Sequence, residues 1–141
     1  MFFFQLPGAA RLFEAADFAL LDKLWRDWSP GFEVPPAEMA SLKRTLGAPG
    51  VLSAALDYYR HTFNPPPNAP GLAEVSIPRP IAVPTLYLHG RNDGCIGAEL
   101  AAGMEPYFEK GLRQVIVDGA GHFVHQERPD EVNRLILEFL Q

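Results

Sequence analysis

Val83-Pro84-Thr85-Leu86-Tyr87-Leu88-His89-Gly90-Arg91-Asn92-Asp93-Gly94-Cys95 and, further on, Asp118-Gly119-Ala120-Gly121-His122-Phe123 are the two stretches that decide the fold. Each follows an apolar, β-branched run: residues 85–88 lead into a turn carrying Asp93, and residues 114–117 lead into a turn carrying His122. Glycines in both turns admit backbone angles that other residues avoid, so each chain end can reverse sharply. Two parallel strands ending side by side place the carboxylate and the imidazole at one edge of a sheet, where ligands bind in open α/β folds. An acid and a histidine so placed are two members of a nucleophile–His–acid triad, in the order acid then His. No motif read in the sequence supplies the third member.

Outward from these stretches, residues 98–108 and 131–140 have helical patterns, the second with Pro129 near its first turn. The C-terminal part therefore reads as a βαβα unit with a right-handed crossover. Two parallel strands cannot cover both their faces, so the unit is expected to be the end of a larger sheet. Before it lies a proline-rich connector over residues 64–82, which begins Asn64-Pro65-Pro66-Pro67 and can be neither helix nor central strand.

Residues 1–63 read as an all-helical module. In 10–28 the residues Leu12, Phe13, Ala16, Leu20, Leu21, Leu24, Trp25 and Trp28 recur at steps of three and four, one continuous helix stopped by Ser29-Pro30-Gly31. Pro35-Pro36 opens a helix over 37–46, with Glu38 early and Lys43 and Arg44 late, as the helix dipole favours. A third helix is expected over 51–63, and the Phe2-Phe3-Phe4 opening is expected to face a core.

Composition narrows the function. The chain has 141 residues, 48% of them hydrophobic, enough for a buried core. A net charge of −5 without a Lys/Arg cluster leaves no footprint for nucleic acid or an anionic membrane. No apolar run approaches the roughly 20 residues that span a bilayer. The single cysteine, Cys95, excludes an internal disulfide and fits a reducing compartment, so a cytoplasmic location is expected. Cys95 is read as a small packed residue, since no basic group is arranged to lower its pKa. His61, His89 and His125 read as surface histidines, and no set of residues has metal-ligand spacing. On the third helix, Tyr58 or Tyr59 could present a hydroxyl to an oxygen that gains negative charge, and the sequence leaves open which.

Together, Pro84-Thr85-Leu86-Tyr87-Leu88-His89-Gly90 with Asp93, Gly119-Ala120-Gly121-His122-Phe123, and Arg128-Pro129-Asp130-Glu131-Val132-Asn133 resemble the C-terminal end of an α/β-hydrolase. Phe4-Gln5-Leu6-Pro7-Gly8, Leu24-Trp25-Arg26-Asp27-Trp28-Ser29-Pro30 and Ala55-Leu56-Asp57-Tyr58-Tyr59-Arg60 resemble the cap of its epoxide hydrolase branch. The fold implied is a partial α/β-hydrolase: a cap module (1–63), a connector (64–82) and the βαβα end of a parallel sheet (83–141). The resemblance implies that Asp93 is the triad acid, His122 the base that activates water, and Tyr59 the cap tyrosine that polarises an epoxide oxygen. It implies hydrolysis of a small hydrophobic epoxide to a vicinal diol, without a cofactor. Haloalkane dehalogenases and serine esterases share the layout, and an inactive remnant or interaction module is the competing class. The family's nucleophile elbow precedes the cap. The chain is therefore expected to be a C-terminal portion, inactive alone, that self-associates or binds an N-terminal half.

Overall fold

A computed structural model describes residues 2–67 and 79–141. They fall into two compact units, one made of the described residues up to Leu24 and of 34–67, the other of Trp25–Glu33 and Arg79–Gln141.

The first unit is helical. A 3-10 turn at Phe2–Gln5 buries the Phe4 ring, which lies 5.5 Å from Phe13 and 4.5 Å from Tyr59. Leu52 and Leu56 of the third helix, which packs against this turn, are buried too, so Phe4 of the aromatic opening faces a core as expected. Helix α2 (Pro36–Leu46) begins with proline at its first position and ends where the Gly47 N–H donates to the Lys43 carbonyl. Helix α3 (Val51–Phe63) starts from Gly50, held at φ 80°.

Helix α1 (Ala9–Trp28) departs from the expected single helix: the backbone leaves helical geometry at Ala15, and Ala16, Asp17 and Phe18 stand at φ 49°, 52° and 58°. Such left-handed residues cost roughly 1–2 kcal/mol each. The Lys43 ammonium lies 2.8 Å from Asp22 and 3.5 Å from Asp17, and the Phe18 ring packs where a side chain at Gly47 would begin. Periodicity alone cannot see such a break, because apolar residues continue at helical spacing on both sides of it.

The second unit is built on two parallel strands, β1 (Thr85–Gly90) and β2 (Leu112–Val117), paired from Thr85 opposite Leu112 to Gly90 opposite Val117. Both run longer than the apolar runs that predicted them. The crossover differs from expectation: in place of a helix over 98–108 it contains two 3-10 turns, Ala98–Ala101 and Glu105–Tyr107. Gly103 at φ 80° and Pro106, which lacks an N–H, break the helical ladder between them. After β2 come a one-turn helix α4 (Val124–Glu127), not anticipated, and helix α5 (Pro129–Phe139), whose Val132 and Leu135 are buried. Leu135 packs with Val117 and Ala120, and Leu86, Leu88, Val115 and Val124 close around them. Burial of side chains such as Val117 and Leu135 stabilises the unit by about 1.5–3 kcal/mol each.

Candidate active site

β1 and β2 end in register at Gly90 and Val117, so the turns that follow leave the sheet at the same edge. Their approach requires glycine. A Cβ on Gly90 would sit 2.0 Å from the Gly121 carbonyl oxygen, and one on Gly121 would sit 2.6 Å from the Cα of Ser29. The three segments meet backbone to backbone. The Trp28 carbonyl accepts hydrogen bonds from both Gly94 N–H and His122 N–H, each at 3.0 Å. One carbonyl thus ties the turn carrying the acid to the loop carrying the base.

Asp93 has 5% of its side chain exposed. Its Oδ1 accepts the Cys95 and Ile96 N–H groups at 2.7 and 2.9 Å, which is the capping role open to any aspartate in such a turn. Its Oδ2 lies 2.9 Å from His122 Nδ1. Burial opposes ionisation, but the Ile96 N–H, the His122 ring and the Cys95 N–H outweigh it and hold the carboxyl below its ordinary pKa. An ionised carboxylate only accepts, so the His122 proton belongs on Nδ1 and the Nε2 lone pair is left as a base. The ring is 27% exposed and sits edge-on to Trp28, with centroids 5.0 Å apart. Phe123, the next residue, stacks on Trp25 at 3.8 Å.

His89 corrects the sequence reading. It is no surface histidine: it is 8% exposed on β1, and its Nε2 lies 2.8 Å from the Ile96 carbonyl and 3.3 Å from Asp93 Oδ2. The carbonyl can only accept, so Nε2 carries a proton and Nδ1 accepts from the Tyr87 hydroxyl. Burial and the Asp93 charge raise the Tyr87 pKa and keep that hydroxyl a donor. The missed signal is its place as the last side chain of an alternating strand, facing the same way as Tyr87. His61 and His125 are exposed as expected. A cavity of about 220 Å³ lies against Tyr87, His89, Asp93, Ile96 and His122.

Tyr59 belongs to the first unit, where its half-buried ring packs on Phe4, while Tyr58 is 83% exposed. Asp93 and His122 are brought together; Tyr59 lies in the other unit. Burial, then the Asp93 charge, raise the Cys95 pKa, so the thiol stays protonated. Among the described residues no group of three His, Cys, Asp or Glu could hold a metal ion, and no helix is long and apolar enough to cross a membrane.

No family model matches the chain. It is similar to Epoxide hydrolase 4 of Homo sapiens, 29% identical over 146 residues covering 99% of this chain, and to Epoxide hydrolase 3 of Xenopus tropicalis, 30% identical over 147 residues covering 100%. A solved structure of an epoxide hydrolase of the α/β-hydrolase superfamily from hot-environment metagenomes superposes on 98% of the chain with a TM-score of 0.72 at 28% identity. The chain belongs to the epoxide hydrolase-like α/β-hydrolases. This hydrolase-like chain carries the C-terminal part of that fold. It spans 38% of the length of the two curated relatives and 48% of the solved one.

Proposed function

We propose that Asp93 and His122 are the acid and base of a nucleophile–His–acid triad that opens epoxides to vicinal diols. The observation that carries this reading is the 2.9 Å contact between Asp93 Oδ2 and His122 Nδ1, with the carboxylate buried and the imidazole partly open. Residues 1–63 serve as the cap, 64–82 as its connector and 83–141 as the end of the core. A carboxylate nucleophile on an elbow outside these 141 residues attacks an epoxide carbon. The carbon–oxygen bond breaks, and Tyr59 gives its hydroxyl proton to the departing oxygen. His122 Nε2 then takes a proton from a water that attacks the resulting ester, releasing the diol and restoring the carboxylate, and the proton gained by His122 replaces, through solvent, the one Tyr59 gave up. The similarity to epoxide hydrolases supports a small hydrophobic substrate, and no cofactor takes part. A serine on the elbow would instead make the enzyme an esterase, and halide release from a chloroalkane would make it a dehalogenase.

The test is co-expression with a preceding segment that bears a Gly-x-Asp-x-Gly elbow, followed by assay of an aryl epoxide. Diol formation that needs both pieces and disappears in His122→Ala is expected. A reconstituted, folded pair that turns over no epoxide, chloroalkane or ester would sink the reading.

A second reading, a non-catalytic interaction module, is favoured by exposed apolar residues of the C-terminal unit: Val83 is 60%, Leu100 72% and Leu137 61% exposed. Under either reading the isolated chain self-associates or binds an N-terminal half. A compact monomer at high concentration in size-exclusion chromatography would refute that.

A further inference from the structure

Three successive backbone amides of the His122 loop each donate to an acceptor elsewhere in the second unit. Gly121 N–H donates to Glu127 Oε2 at 2.7 Å, His122 N–H to the Trp28 carbonyl at 3.0 Å, and Phe123 N–H to Glu127 Oε1 at 3.1 Å. The Ser29 hydroxyl donates to the same Oε1 at 2.7 Å and stands 3.3 Å from the Phe123 N–H. Ser29 is fully buried and Glu127 is 8% exposed.

A carboxylate accepts at both oxygens and donates at neither, so it alone can receive donors on either flank of His122 at once. Glutamine would turn its NH2 group onto one of them. Burying a carboxylate is costly, and here the cost is met by donors aimed at the backbone beside one side chain. Arg128 holds the same loop from its other end, donating to the Gly119 and Glu127 carbonyls.

We infer that Glu127, together with Ser29, is a positioning residue for His122. The carboxylate fixes the loop amides on both sides of the base. Trp28, one residue before Ser29, holds the Asp93 turn through Gly94 N–H, so acid and base are referred to the same short strap. The Glu127 carboxylate is hydrogen-bonded to Ser29, Gly121 and Phe123 and not to the Asp93 carboxylate or the His122 ring; it acts by setting where the His122 backbone stands. The inference rests on the hydrolase reading for its purpose, not for its geometry.

The experiment uses the 141-residue chain, isotope-labelled, with Glu127→Gln, Ser29→Ala and the charge-conserving Glu127→Asp. Three readouts are followed: the low-field proton of the Asp93–His122 bond, the ring nitrogen shifts of His122, and amide exchange at Gly121, His122 and Phe123. In Glu127→Gln the low-field proton disappears and the three amides exchange about tenfold faster or more, while the methyl signals of Val117 and Leu135 stay in place. Ser29→Ala weakens the same signature partially, and Glu127→Asp restores part of it. Unchanged His122 signals in Glu127→Gln overturn the inference even if the amides loosen. Collapse of the whole spectrum in Glu127→Gln, with His122 unperturbed in Ser29→Ala, also overturns it, because Glu127 is then a fold residue only. These signals are independent of turnover. A reconstituted enzyme that is inactive with the signature intact defeats the hydrolase reading and leaves the positioning role standing.

Discussion

Replacing Asp93 with asparagine removes the negative charge from the acid–base pair while keeping its shape. The amide oxygen can still accept the Cys95 and Ile96 N–H groups that now reach Oδ1 at 2.7 and 2.9 Å, leaving the NH2 group facing His122 Nδ1. Two donors then meet, so the ring must move its proton to Nε2 and lose the free lone pair. Hydrogen bonds to a charged group are worth about 1.5–3 kcal/mol, and relief of burying the charge offsets part of their loss. The net cost at neutral pH is about 2 kcal/mol, a fall of roughly 8 °C in Tm for a chain this size. The difference depends on pH in a defined direction. The folded carboxyl titrates below its ordinary value of 3.8, so its contribution is full above that value and is lost as pH falls through the folded one. Urea unfolding of both proteins between pH 7 and pH 3 should therefore show their stabilities converging in acid. Glu138, held low by Arg134 and then Arg113, titrates in both proteins and cancels in the difference. A gap that stays constant across this range would refute the account of Asp93 as an ionised partner of His122. In the reconstituted enzyme the same change should lower kcat by about 10³–10⁴-fold through the wrong tautomer.

Gly90→Ala should unfold the second unit or cost more than about 3 kcal/mol in urea, because its Cβ would lie 2.0 Å from the Gly121 carbonyl oxygen. Gly8→Ala, with nothing within 4 Å of a new Cβ, should change stability by less than about 0.5 kcal/mol and is the control. Leu135→Ala should cost about 2–5 kcal/mol by opening a cavity beside Val117 and Ala120, measured by the same unfolding curves. In the reconstituted enzyme, Tyr59→Phe should reduce epoxide opening at least about 10²-fold with unchanged circular dichroism, whereas Tyr58→Phe should leave it intact. Equal effects of the two tyrosines would remove Tyr59 from the proposed chemistry.

Where the sequence reading succeeded, the deciding interaction was local. Helices α2 and α3 start and stop at prolines and glycines whose backbone preferences act within a turn, and the structure begins α2 one residue before the expected start and keeps α3 at the expected bounds. The strands came from short apolar, β-branched runs, and the meeting of Asp93 with His122 followed from two parallel strands ending together. The misses were of two kinds. Residues 98–108 read as a helix because alanine and leucine favour one, although Gly103 and Pro106 stood in the sequence as breakers. The break in α1 had no local signal, since apolar residues continue at helical spacing across it; the burial of His89 had one in its place on β1, and its partners Asp93 and Ile96 follow four and seven residues later.

By itself the sequence determined most kinds of element, the parallel sense of the two strands and the meeting of Asp93 with His122 at their ends, because propensity, period and turn preference act over a few neighbouring residues. Only the tertiary structure decided that Trp28 and Ser29 join the C-terminal unit, that one carbonyl holds both turns, and that Glu127 is buried against the His122 loop. Those contacts bridge up to 98 positions of chain, and their free energy comes from excluding water around groups that no local pattern records.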